Sequence, residues 1–258
     1  MRNILNLLAL LALAVGTASC EIDNYDAPEA GISGTIYSPD GNPLQVGAGK
    51  TSMQIKIVER SFARDESTVV TPQYLNLRQE GTYTNEKLFV GTYEVLPVEG
   101  AFYPLDEAED TKTVTLASGK ITSLDFTVIP YLYVEFVGNP YLTEEGYLEC
   151  AVKFIRNSKE GVAMPDVNNM QLYISHTKYC GPSGDENYIS PTVTITNAQD
   201  GETIYLRSKI PFKYSGTYWV RVGACCNDQY KKYNFSEIKK VEVLSLIHIS
   251  EPTRLALI

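Results

Sequence analysis

The chain has 258 residues and a net charge of −9, with 44% of its residues hydrophobic and 21% charged. That balance excludes an intrinsically disordered protein. The acidic surplus argues against nucleic acid as a partner, since no basic patch could offset repulsion from a polyanion. Eighteen tyrosines and thirteen prolines favour strands over helix bundles.

In chain order, the first element lies outside the fold. MRNILNLLALLALAVGTASC begins with one cation at Arg2, continues as an apolar run over Ile4–Val15 and closes on small residues before Cys20. This is the pattern of an export signal over residues 1–19, too short to span a membrane. A cysteine directly after GTAS is similar to the bacterial lipoprotein acylation motif, although Thr17 stands where leucine is usual. Cys20 is therefore the predicted lipidation site, and more than one acyl chain there would hold the protein on a membrane. Residues 20–29 carry Glu21, Asp23, Asp26 and Glu29. They read either as a solvated leash or as a signal for the outer face of the outer membrane, and both readings stand.

From residue 30 onward the chain is a series of short strand-like runs between turn signals. GISGTIYS, MQIKIVER, YLNLRQ, GTYEVLPV, TKTVTLAS and SLDFTVIPYLYVEFV form a first series, with PDGNP as a turn after the first run. YLECAVKFIR, MQLYISHTK, TVTITNA, ETIYLRSKI, TYWVRVGA and SEIKKVEV form a second. No stretch sustains a helical period. The expected architecture is all-β: two β-sandwich domains in series, residues 30–130 and 131–243, packed rigidly across a short join near Pro130–Tyr131. The final residues 244–258 fit nothing upstream. Leu244–Arg254 matches the translation of a transposase-end sequencing adapter residue for residue, so the segment is expected to be non-native read-through and is set aside with His248.

Few residues are suited to catalysis. With the tail set aside, His176 is the one histidine, and no G-x-S-x-G turn accompanies it. A triad or a His-rich metal site is not expected, and the chain reads as a non-enzyme without metal or cofactor. The acidic runs LDEAEDT and GPSGDENY lack the spacing of a calcium loop and read as solvated charge. Cys150, Cys180, Cys225 and Cys226 all fall in the second domain. Either Cys180 bonds Cys225 or Cys226 in an oxidising compartment, or the thiols are free and buried. The positive hint is aromatic. Tyr179, Tyr188, Tyr214, Tyr230 and Tyr233 fall in loop-like contexts, and Trp219 sits in a strand where it could face the core or the surface. Loop aromatics stack on sugar rings while their hydroxyls reach polar groups, so these six are the candidate ligand-binding residues.

The stretches DNYDAPEAGISGTIYSPDGNPLQ, YLNLRQEGTYTNEKLFVGTYEVLPVEGAFYP, LDFTVIPYLYVEF and TYWVRVGACCNDQYKKYNFSE together resemble the Bacteroidota lipoprotein family named domain of unknown function 3823. The resemblance implies a prealbumin-like or carboxypeptidase-regulatory-like sandwich followed by a fibronectin-like one. It also implies a setting beside an outer-membrane glycan importer and its lipoprotein lid. The expected role is a glycan-binding or accessory lipoprotein of a polysaccharide-utilisation system. The rivals are a scaffold that docks on the importer without touching sugar and, behind it, a glycoside hydrolase.

Overall fold

The computed structural model describes residues 27–65, 67–182 and 188–244. Residues 1–19, Cys20 and residues 245–258, with the expectations attached to them, lie outside the described residues. The described chain is almost wholly β, with seventeen strands and one four-residue helix.

Eight strands build the first unit: β1 (Ala30–Tyr37), β2 (Gln54–Glu59), β3 (Gln73–Asn76), β4 (Thr82–Leu88), β5 (Gly91–Val98), β6 (Lys112–Leu116), β7 (Ile121–Ser123) and β8 (Phe126–Thr127). One sheet runs β4–β1–β7, with β8 continuing along β1 beyond β7; β7 and β8 are parallel to β1. The facing sheet is the antiparallel β3–β2–β5–β6. Period-2 alternation turns Ala30, Ile32 and Ile36 inward from β1 and Ile55 and Ile57 inward from β2. The acidic run at 105–111 is a cap: helix α1 (Glu107–Asp110) opens on Asp106, whose carboxylate accepts from the amides of Ala108 and Glu109.

Nine strands build the second unit: β9 (Leu132–Phe136), β10 (Tyr141–Leu142), β11 (Leu148–Arg156), β12 (Val167–Ser175), β13 (Val193–Thr194), β14 (Ile204–Arg207), β15 (Gly216–Cys226), β16 (Tyr233–Phe235) and β17 (Lys239–Val243). In one sheet β11 is flanked by β14 on one side and by β9 and β10 on the other. In the other, β15 is flanked by β12, which carries β13, and by β16 and β17. Val152 and Phe154 from β11 meet Leu172, Val220 and Val222 in a core that continues into that of the first unit.

Polar groups seal the join. Asn234 is 2% exposed; its Oδ1 accepts from Leu132 N–H (3.1 Å) and its Nδ2 donates to Ala101 O (3.0 Å). Gln79 donates to Lys178 O (2.5 Å) and accepts from Cys180 N–H (3.1 Å). Tyr103 packs edge-on against Tyr131 at 5.1 Å and donates to Asn157 O. These buried bonds with fixed partners hold one orientation between the units.

The four cysteines are free and buried. A bridge from Cys180 to Cys225 is out of reach. The Cys180 thiol lies 3.4 Å from Trp219 O, and Cys225 stands six residues farther along β15. At about 3.3 Å per residue that is roughly 20 Å, against a Cα span below about 7 Å for a disulfide. Cys226, one residue farther, is excluded on the same ground.

Candidate functional site

The six aromatics singled out from sequence do not form one face. Tyr188 is 7% exposed and stacks on Phe212 at 4.3 Å, with Tyr218 edge-on to both, so it is a core residue. Trp219 and Tyr233 pack on a small cluster of Tyr173, Cys180 and Phe235 on the outer side of β12–β15–β16, and Tyr233 donates to Asn169 Oδ1 (2.7 Å). Tyr179, Tyr214 and Tyr230 are exposed, but they are dispersed. Tyr214 precedes β15 and Tyr230 follows it, and the ten steps between the strand's ends span about 33 Å. His176 lies in the loop after β12, its ring 4.6 Å from that of Tyr218.

Aromatic side chains do gather elsewhere, on the outward face of the β9–β10–β11–β14 sheet. Register decides it. Tyr141, Glu149 and Arg207 are paired across β10, β11 and β14, and paired residues project from the same face. In the next outward row Ala151 pairs with Tyr205, and Val137, whose amide donates to Ala151 O, lies on its other side. Tyr147, two residues before Glu149, shares that face. Ile204, Leu206, Leu148, Cys150 and Val152 point inward and anchor the sheet.

The groups on this face are locked together. Tyr141 donates its hydroxyl to Glu149 Oε2 (2.9 Å), and Arg207 Nη1 lies 3.8 Å from Glu149 Oε1. The Arg207 guanidinium lies 3.6 Å over the Tyr147 ring. The bond to Glu149 holds the Tyr141 hydroxyl above the ordinary tyrosine range, with a smaller contribution from nearby Tyr205. Lys153 pairs with Glu135 (3.3 Å) one row beyond. Tyr205 is 72% exposed and Tyr141 50%. Two open rings, on strands two spacings apart and one row out of step, roughly 12 Å between their backbones, thus flank a floor of Ala151 and the ion pair. Charge cancels within each of the two acid–base pairs, so the face suits an uncharged ligand with apolar faces and hydroxyl edges. Among the described residues no group of His, Cys, Asp and Glu could hold a metal ion.

The sequence profile of the "Protein of unknown function (DUF3823) N-terminal domain" matches residues 30–129. Residues 30–129 are a DUF3823 domain. The fold is similar to that of a DUF3823 family protein of Bacteroides uniformis, at 20% identity and a TM-score of 0.73, covering 84% of this chain and all of that one. It is similar to a DUF3823 family protein of Parabacteroides merdae, at 17% identity and 0.60, with 84% and 100% covered. A third structure, from Bacteroides uniformis and described as a candidate carbohydrate binding protein, aligns at 19% identity and 0.62, again over 84% and 100%. No curated protein matches the chain. The alignments run past the DUF3823 domain into the second sandwich, where the tyrosine face lies.

Proposed function

We propose that this DUF3823-containing chain is a non-catalytic glycan-binding lipoprotein, and that Tyr141, Tyr147 and Tyr205 with Glu149 and Arg207 are its sugar-contacting surface. The observation that carries the reading is the pair of exposed rings flanking a hydrogen-bonding ion pair on a rigid sheet. Sugar rings have an apolar face that stacks on aromatic rings and a hydroxyl rim that a carboxylate and a guanidinium bridge with directed bonds. A similarly folded protein described as a candidate carbohydrate binding protein supports the same class. The proposed setting has two supports: the acylation motif at Cys20 favours a lipid anchor on the outer membrane facing the cell exterior, and the family resemblance favours a place beside a glycan importer and its lid in polysaccharide utilisation.

Affinity electrophoresis against neutral plant, mucin and microbial polysaccharides tests this. Retardation by one class, lost when Tyr141 and Tyr205 are both changed to alanine, is the expected result. Folded wild-type protein that no polysaccharide retards would overturn sugar binding and leave the scaffold reading, in which the chain docks on the importer alone.

A further inference from the structure

One strand edge is open over a cleft at the join of the two units, and we propose that it docks an extended, basic segment of a partner protein by strand addition. The open side follows from the β9–β11 register. Val137 N–H donates to Ala151 O (2.8 Å) and Asn157 N–H donates to Tyr131 O (3.0 Å), so odd-numbered residues of β9 bond to β11. The N–H and C=O groups of Leu132, Val134 and Phe136 therefore point away from β11. Leu132 N–H meets the side-chain amide of Asn234. Val134 and Phe136 have no protein partner on that side among the described residues, although Val134 is buried. Backbone groups so placed call for a partner, and a strand laid along β9 would supply both donors and acceptors.

The space fits such a segment. The cleft holds about 350 Å³ between β9 and a wall made of Asp40–Gln45 and Asn234–Lys239. Its charge is one-sided. Asp40 and Glu237 present carboxylates, Glu135 being paired with Lys153, and the single ammonium, Lys239, is turned into Gly138 O (2.5 Å) and Asn139 Oδ1 (2.9 Å). Hydrogen bonds from Ser38 and Asn42 hold Asp40 below the usual carboxylate range, so it stays ionised. A lysine or arginine on the incoming strand meets this rim; an acidic one is repelled. Sugar is the poorer fit, because the Lys239 ammonium lies over the Phe136 ring, 5.1 Å from its centroid.

The test is an amide-resolved NMR titration of the full chain with a short peptide of alternating valine and lysine. Controls are the same peptide with glutamate for lysine and one N-methylated so that it cannot pair. Saturable shifts at the amides of Val134 and Phe136, weakened at least about tenfold by either control and by raised ionic strength, are expected. The double variant Asp40→Asn, Glu237→Gln should bind more weakly while its amide spectrum stays that of the folded protein. No saturable shift at millimolar peptide, or equal binding of the glutamate peptide, overturns the proposal. So does a neutral oligosaccharide that shifts the same two amides, since the cleft would then be a sugar subsite.

Discussion

Replacing Asn234 by alanine isolates what holds the two sandwiches in register. The side chain accepts from Leu132 N–H and donates to Ala101 O, and both residues are shielded from water. Alanine abolishes two hydrogen bonds, but Ala101 O still accepts from Tyr131 N–H (3.0 Å), so the Leu132 N–H alone is left buried and unpaired. One orphaned donor at about 1–3 kcal/mol and one lost bond at about 1 kcal/mol give roughly 2–4 kcal/mol in all. At about 2–4 °C per kcal/mol for a protein of this size, a loss near 3 kcal/mol lowers the melting temperature by roughly 6–12 °C. Asn234→Asp should cost at least as much as alanine, because a carboxylate still accepts from Leu132 but faces Ala101 O with no proton to donate and carries a desolvation cost of several kcal/mol. The assay is calorimetric melting. The core runs without a break through both units, so the variant should still melt in one transition. A loss below about 1 kcal/mol, or two separated transitions, would refute this account of the join.

Gly34→Ala in β1 would set a Cβ 2.0 Å from the Leu124 carbonyl oxygen, so a loss of about 3 kcal/mol, or failure to fold, is expected in urea unfolding. Arg221 is fully buried over Phe235, with Nε and Nη2 unpaired and one long bond, 3.5 Å, to Cys180 O. Arg221→Met should therefore raise the melting temperature, since several kcal/mol of desolvation outweigh a cation–π contact of about 2 kcal/mol; a drop would show that the charge is better satisfied than the structure implies. Burial pushes the thiols of Cys150, Cys180 and Cys226 up to about 12. In folded protein lacking Cys20 these thiols should thus react with Ellman's reagent only on unfolding, and rapid labelling at pH 8 would contradict the burial. The same shifts fix an alkaline limit. Unfolded thiols release protons from about pH 9 while folded ones hold them, so stability falls as pH climbs from about 9 towards 12 and is untouched by these groups below that window.

Much of the strand framework was legible because alternation marks a half-buried strand. GTYEVLPV is β5 residue for residue, and ETIYLRSKI holds β14 with Ile204 and Leu206 inward. TYTNEKL escaped, because β4 buries only Tyr83 and Leu88 and reads as polar. The aromatic site was legible only in part. Alternation in IYLR already puts Tyr205 and Arg207 on the side opposite the core. That they meet Glu149 and Tyr141 depends on which strands are neighbours, which no local pattern encodes. The error at Tyr188 has a related origin. Its flanks look like a loop, but the residue returns to stack on Phe212, a contact between segments distant in sequence. Trp219 alternates with Tyr218 and Val220, and the strand gave no sign that a second, smaller cluster covers its far side.

The parallel pairing of β1 with β7 and β8 sets how the first sandwich would bear a load. Tension between the N-terminal side of Ala30 and the exit beyond Thr127 pulls β1 and its parallel neighbours from opposite ends. The pairs from Gly31↔Ile121 to Tyr37↔Thr127 are then sheared together rather than opened one at a time. A chain held at its N-terminus while the second sandwich grips a polymer would resist extension through that ladder, and its lifetime under force would be set by the unfolding rate of this one seam.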